Sequence, residues 1–139
     1  MAELDYKVLK LLQRKDEPLK ISEIAEQLNL PHSTVGSSVK RLEEEGCVFY
    51  RRYNPVKLTP KGRDLAIEII RHAQLMEVLL YRELDLTAAE AHEESEKLNL
   101  LFSCNTINKI CQKYGHPDRC PCGEKILNAS SCACEKDSK

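Results

Sequence analysis

Apolar residues recur at helical spacing in three successive segments at the start of the chain. Residues 4–13 keep apolar side chains such as Val8 and Leu12 on one face, and residues 21–28 and 33–45 repeat the pattern. Asn29-Leu30-Pro31 leaves room for only a tight turn between the second and third segments. The pattern therefore predicts three short helices, of which the last two form a helix-turn-helix.

A different periodicity follows the third helix. Gly46 is expected to end that helix, and residues 47–53 and 56–59 are rich in aromatic and β-branched side chains. Asn54-Pro55 separates these two stretches and predicts the turn of a hairpin. A hairpin directly after a helix-turn-helix is the wing of a winged helix.

The face of the third helix opposite its apolar stripe carries small hydroxyl groups. In a helix-turn-helix the second helix of the motif enters the major groove of DNA, and basic side chains beside it meet phosphates. A surface helix without a ligand is the alternative, but two arginines in the wing favour DNA. The predicted DNA contacts are Ser33, Thr34, Ser37, Ser38, Lys40, Arg41, Arg51 and Arg52.

The second half of the chain is helical again. Thr59 as N-cap and Pro60 at the first helical position open a long apolar stripe that predicts one helix from about 59 to 84. Thr87 and Glu90 predict a capping box for a further helix at 88–98, and another helix is expected at 104–114. The fold class is therefore mainly α with a small β-wing, a winged helix-turn-helix followed by a helical dimerisation domain. We expect these domains at 1–65 and 66–116, and a cysteine-rich metal-binding tail at 117–139.

Composition limits where the protein works. The 139 residues carry a net charge of only −1, although residues 1–72 are mildly basic. No apolar run approaches the roughly 20 residues of a membrane span, and the first residues lack the pattern of a signal peptide. A cytoplasmic protein without a membrane partner is expected. Seven cysteines in that reducing compartment favour metal ligation or redox chemistry over disulfides.

Six of the seven cysteines follow residue 103. Cys104 and Cys111 are seven residues apart on one helical face, and Cys120 and Cys122 can fold back over them after the break at 115–117. These four thiols predict one centre that holds a 4Fe–4S or 2Fe–2S cluster. Tetrahedral zinc and unligated thiols are the alternatives. The remaining two cysteines of this region are Cys132 and Cys134. They either replace some of these four ligands or form a second site.

Five phrases of the chain share one order and spacing with a known family: residues 21–28, 39–46, 58–63, 91–96 and 115–121. They resemble the DtxR/MntR family of metal-dependent transcriptional repressors. The resemblance implies a homodimer in which each protomer has a winged DNA-binding domain and a helical metal-binding dimerisation domain. A palindromic double-stranded operator would follow from that symmetry.

The chain also departs from the family at the metal ligands. The C/E-x-x-E-H signature of the primary site is replaced by residues 96–100, which end in Asn99 and Leu100. Glu77 and His92 match two ligands of the secondary site, and with Glu96 they form a residual site or only a solvated acidic face. The Cys-Pro-His-Gly phrase of the family is here Cys120-Pro121-Cys122-Gly123.

These observations predict a regulator, not an enzyme. We expect DNA binding to be controlled by a cysteine-ligated iron–sulfur cluster, in iron or redox homeostasis. One alternative is a zinc-stabilised winged-helix regulator. Another is an iron–sulfur carrier or accessory protein of iron transport, which would use the winged fold to bind protein.

Overall fold

The computed structural model describes residues 1–129 and 132–134, and the chain divides into two compact units. The first unit is Met1–Ala66, and the second begins at Ile67. The predicted fold class, mainly α with a small wing, is confirmed. No helix in the described ranges is long and apolar enough to cross a membrane. The elements are α1 (Glu3–Lys15), α2 (Ile21–Leu28), α3 (His32–Glu44), β1 (Val48–Phe49), β2 (Lys57–Leu58), α4 (Pro60–Glu83), α5 (Ala88–Ser95) and α6 (Cys104–Lys113).

The first unit is a three-helix core with a hairpin. Strands β1 and β2 pair antiparallel, with Val48 opposite Leu58, and a single bridge between Leu19 and Val56 extends the sheet. The strands are shorter than predicted because a turn closes early, where the Asn54 N–H donates to the Arg51 carbonyl at 2.9 Å. Apolar side chains from all three helices fill the core: Val8, Leu9, Leu12, Ile24, Val35, Val39 and Leu42.

A buried carboxylate joins α1 to α3. Asp5 is only 1% exposed, and it accepts a hydrogen bond of 2.6 Å from the Ser38 hydroxyl and bonds of 2.9 and 3.1 Å from the Arg41 guanidinium. Burial opposes ionisation, but the hydrogen bonds from Arg41 and Ser38 outweigh it and hold the pKa of Asp5 below its ordinary value. The ionised carboxylate therefore stabilises the packing of these two helices.

The start of α4 is fixed by a cap and a close approach. The Thr59 hydroxyl accepts from the Gly62 N–H at 3.0 Å, as its predicted capping role requires. A Cβ atom on Gly62 would lie 1.9 Å from the Cys47 carbonyl oxygen, so only glycine allows this contact. Cys47 itself is fully buried.

The second unit packs the cysteine-rich segment against α4 and α6. Thr87 and Glu90 form the predicted capping box of α5, and Ser103 caps α6 through the Thr106 N–H. The described residues after α6 run in irregular backbone with isolated bridges. One buried cluster contains Leu75, Ile107, Cys111, Ala129, Cys132 and Cys134. The tail therefore shares its core with the helices.

Replacing Gly62 by alanine is expected to destabilise the first unit by about 1–3 kcal/mol, because the methyl group collides with backbone that cannot move aside. The matched control is Gly36→Ala in α3, where the added Cβ meets nothing within 4 Å. That substitution should stabilise the helix by about 0.5–1 kcal/mol. Urea unfolding followed by circular dichroism measures both, and equal stability of the two variants would contradict the contact.

Replacing Asp5 by asparagine is expected to cost about 1–2 kcal/mol at neutral pH, because charge-assisted hydrogen bonds are lost. The folded-state pKa of Asp5 is lowered, so its contribution is present above the unfolded pKa of about 3.9 and disappears as the pH falls through the folded value. Urea unfolding of Asp5→Asn and wild type should therefore converge at acid pH. Glu3→Gln, an exposed acid in the same helical turn, should show no comparable difference.

Candidate functional site

Four polar side chains are buried within seven positions of α4. Arg71 and Glu77 are 1% exposed, and His72 and Gln74 are 2% exposed. Buried polar groups are costly unless they find partners. All four meet partners from α5, α6 or the segment that follows α6, and these contacts build the site.

Arg71 and Gln74 hold the backbone of the tail. The Arg71 guanidinium donates to the Leu127 carbonyl at 2.9 Å. The Gln74 amide nitrogen donates to the Lys125 carbonyl at 2.7 Å, and its oxygen accepts from the Leu127 N–H at 2.9 Å. No pattern in the sequence predicted this role, because both residues occupy what look like ordinary polar positions of a helix.

Glu77 stands at the centre of a group of metal-type donors. One carboxylate oxygen lies 3.0 Å from Nδ1 of His92, and the other accepts the Cys122 N–H at 2.8 Å. Ligand atoms of Glu77, His92 and Cys122 all lie within 4.8 Å of one another. The Cys120 Sγ lies 3.0 Å from that of Cys122, and the Glu77 carboxylate is near enough to help raise the pKa of the Cys120 thiol. We call these four residues the Glu77 centre.

The electrostatics of the Glu77 centre suit a cation. Burial raises the pKa of Cys120, and the neighbouring Cys122 thiol and Glu77 carboxylate raise it further. A positive ion would reverse this effect, since thiols ligate metals as thiolates. The donors also fit: two sulfurs, one imidazole and one oriented carboxylate suit Zn²⁺ and similar divalent ions. His92 is 41% exposed in its side chain and Cys122 is exposed, so an ion has a path from solvent.

The other predicted cysteine ligands lie elsewhere. Cys104 lies beside His72 and Cys132, whereas Cys111 lies beside His116 and Cys134. Among the described residues, the structure thus brings Cys120 and Cys122 together but places Cys104 and Cys111 each with a different histidine. Sequence reasoning missed both histidines, because it looked for cysteine spacing alone.

Glu96 is not among the donors that converge on Glu77 within residues 1–129 and 132–134. It is the C-cap of α5, which ends at Ser95. Asn99 and Leu100, which replace family ligands, follow after the end of this helix. The two matches noted in the sequence, Glu77 and His92, do lie together.

The His72 imidazole and the Cys104 thiol, whose Nε2 and Sγ atoms lie 3.5 Å apart, both have shifted pKa values. Burial lowers the pKa of His72, which favours the neutral imidazole that binds metals. Burial raises the pKa of Cys104 to about 12, with further contributions from Cys132 and Glu68. Glu68 lies one helical turn before His72 on α4.

The candidate DNA surface comprises one face of α3 and the wing. Ser33, Thr34, Ser37 and Lys40 are exposed on α3, as a groove-facing role requires. Ser38, predicted to face DNA, is instead buried, because its hydroxyl turns inward to the Asp5 carboxylate.

The arginines of this surface differ in whether their charge is already paired within the first unit. Arg41 is 45% exposed in its side chain but is paired with Asp5, so its guanidinium is partly used within the unit. Arg51 and Arg52 are exposed in the wing, where the Arg52 guanidinium lies 5.1 Å from the ring centroid of Tyr53. The wing therefore carries the more accessible positive charge.

The fold and this site define a class: a winged helix-turn-helix followed by a helical unit with clustered metal donors. Residues 59–128 match the family described as the iron dependent repressor, metal binding and dimerisation domain, and residues 1–48 match winged helix-turn-helix DNA-binding. The chain belongs to the DtxR/MntR family of metal-dependent transcriptional regulators, which confirms the resemblance seen in the sequence. Members of this family are regulators and not enzymes.

Similar proteins include two named transcriptional regulators. The HTH-type transcriptional regulator MntR of Lysinibacillus sphaericus is 29% identical over 80% of this chain and 79% of its own length. The iron-dependent repressor IdeR of Mycobacterium tuberculosis is 31% identical over 74% of this chain but only 45% of its own length. The chain thus spans about half the length of the IdeR-type relatives.

Solved structures show the same architecture. A manganese-dependent transcriptional repressor in complex with manganese matches 91% of this chain and 60% of its own, with a TM-score of 0.80 and 29% identity. A hypothetical protein of Sulfolobus solfataricus matches 91% of this chain and 98% of its own, with a TM-score of 0.73 and 27% identity.

Proposed function

We propose that this protein is a homodimeric, cytoplasmic transcriptional regulator whose affinity for a palindromic operator depends on an ion bound at the Glu77 centre. The observation that carries the proposal is the convergence of Glu77, His92, Cys120 and Cys122 in a chain that begins with a winged helix. An ion bound there would be held by α4, α5 and the tail together. Binding would therefore favour one arrangement of the second unit over others.

The donor chemistry favours a thiophilic divalent ion. Oxygen-rich sites suit Mn²⁺, whereas thiolate and imidazole donors suit Zn²⁺ and Fe²⁺. This supports metal homeostasis as the process regulated, and it sets the metal apart from the manganese named for one of the similar solved structures.

The iron–sulfur cluster predicted from the sequence is a second candidate for the regulatory cofactor. The supporting observation is that Cys120 and Cys122 already lie together, with Sγ atoms 3.0 Å apart. The mixed set of carboxylate, imidazole and thiol groups around them favours a single ion instead. Anaerobic purification separates the two, since a cluster brings acid-labile sulfide in stoichiometric amount and a broad visible absorption.

Charge reversal in the wing tests the DNA surface. The double variant Arg51→Glu, Arg52→Glu should weaken binding to duplexes of any sequence and reduce the slope of log affinity against log salt by about 1–2. Fluorescence anisotropy with a random-sequence duplex measures both quantities. The double variant Lys7→Glu, Lys15→Glu, on α1, makes the same charge change outside the proposed surface. Equal loss in the two double variants would contradict a specific role for the wing.

The exchange Cys122→His tests the metal preference of the Glu77 centre. It restores the residue of the family's Cys-Pro-His-Gly phrase and should raise the affinity for Mn²⁺ relative to Zn²⁺, because a softer donor is removed. Cys122→Ala should lower Zn²⁺ affinity at this centre by at least about tenfold. Calorimetric titration with each ion measures the metal affinity. An operator selected from a random duplex library is used to measure metal-dependent DNA binding. Metal affinities and metal-dependent DNA binding that stay at wild-type values in both variants would refute the centre.

A further inference from the structure

Two more groups of metal donors lie in the second unit, and neither includes a residue of the Glu77 centre. In the first group the Nε2 atom of His72 lies 3.5 Å from the Cys104 Sγ and 3.3 Å from the Cys132 Sγ. The Glu68 carboxylate is near enough to help raise the pKa of the Cys104 thiol, but it is not among the ligand atoms that lie within 4.8 Å of one another. The donors of this group are therefore two sulfurs and one imidazole nitrogen.

The second group lies at the other end of α6. Nδ1 of His116 lies 3.5 Å from the Cys111 Sγ and 3.2 Å from the Cys134 Sγ. Gly115 and His116 both have left-handed backbone, with φ of 74° and 55°, and the His116 N–H donates to the Cys111 carbonyl at 2.8 Å. This conformation, which is uncommon for a residue other than glycine, holds the imidazole over the helix end.

The sulfur–nitrogen distances match those of a shared ion. Around a tetrahedral Zn²⁺, bonds of about 2.3 Å to sulfur and 2.0–2.1 Å to nitrogen place the two ligand atoms about 3.5 Å apart. Hydrogen bonds alone let each imidazole nitrogen serve one thiol at a time, because it has either one proton or one lone pair, although the Cys134 thiol can also donate to the Asn108 carbonyl oxygen at 3.7 Å. An ion between the three atoms satisfies all of them.

His72 adds an independent observation. The residue is 2% exposed, and its Nδ1 atom has no hydrogen-bond partner in the part of the chain that the structure describes. Burial of an imidazole with one unpaired nitrogen is costly unless the other nitrogen makes a strong interaction. A bond from Nε2 to an ion is such an interaction.

The two groups must hold separate ions. Cys104 and Cys111 are seven residues apart on α6, about 10.5 Å along the axis, which exceeds the span of any single ion. Cys132 and Cys134 are only two residues apart, and each reaches a different one of these helix cysteines.

Hydrogen bonds already align the tail for this arrangement. The Asn108 amide, in the middle of α6, donates to the Ala133 carbonyl at 3.0 Å. The Asn108 amide oxygen in turn accepts from Arg71 at 2.7 Å. Ala133, the residue between the two tail cysteines, is therefore fixed against the helix that carries their partners.

We propose that Cys132-Ala133-Cys134 is a two-ion clamp that fastens the tail to α4 and α6. One ion of the zinc class is held by His72, Cys104 and Cys132, with one coordination position left open. A second is held by Cys111, His116 and Cys134, with one coordination position left open. The clamp is separate from the Glu77 centre and does not depend on its regulatory role.

Differential alkylation of the zinc-loaded full chain tests the clamp. Iodoacetamide labelling read by mass spectrometry should show Cys104 and Cys111 protected in the wild type. Cys132→Ser should expose Cys104 alone, and Cys134→Ser should expose Cys111 alone. The conservative variant Cys132→His, which keeps a donor, should retain protection of Cys104. Exposure of both helix cysteines in all three variants would overturn the two-ion arrangement, as would protection of both in the two serine variants.

Metal counting gives a second readout and separates this proposal from the regulatory one. The wild type should bind three zinc ions, one for each donor group, and each tail variant should bind two. Cobalt substitution should show the visible bands of tetrahedral thiolate coordination, reduced in each tail variant. If Cys122→Ala loses one ion while both tail variants keep all of theirs, the clamp is wrong and the Glu77 centre stands. Loss of acid-labile sulfide together with all metal in a single tail variant would indicate a shared cluster and would also overturn the clamp.

Discussion

The second unit depends on the burial of four polar side chains along one stretch of α4. An unpaired guanidinium, imidazole, carboxamide or carboxylate in a protein interior costs several kcal/mol, so α4 could not be buried by apolar partners alone. Every segment that follows it supplies a polar partner. The path of the described part of the cysteine-rich tail, which has little regular structure, is explained by this requirement.

The four residues form two pairs with different roles. Arg71 and Gln74 bind backbone carbonyls and an N–H group, and so fix the tail without any ion. His72 and Glu77 face thiols and offer atoms suited to metal. These two are five positions apart on α4, about 7.5 Å along the axis and about 140° around it, so they cannot share an ion. One helix therefore presents donors to two different centres.

Local pattern predicted most of the fold, because helical period, caps and breakers are local properties. The boundaries of α2, α4 and α6 fell within about one residue of expectation, and Thr59 and Thr87 cap the helices as predicted. The grouping of the cysteines could not be predicted from local pattern. Cys132 meets a histidine 60 residues earlier in the chain, and only the folded path of the tail brings them together. Ser38 was misplaced for a related reason, since its inward turn depends on a distant carboxylate.

Changing two donor types is expected to be enough to change which metal a site on these helices binds. The family's tail phrase supplies a histidine where this chain has Cys122, and the family's primary signature is replaced here by residues without comparable ligands. Thiolates bind Zn²⁺ and Fe²⁺ in preference to Mn²⁺, whereas the helices that carry the donors need not alter. The carboxylate of Glu77 and the imidazole of His92 keep their places, and the sulfurs of Cys120 and Cys122 complete the set. In the function proposed above, the choice of metal therefore resides in the described part of the tail, which α4 also holds by hydrogen bonds to its backbone.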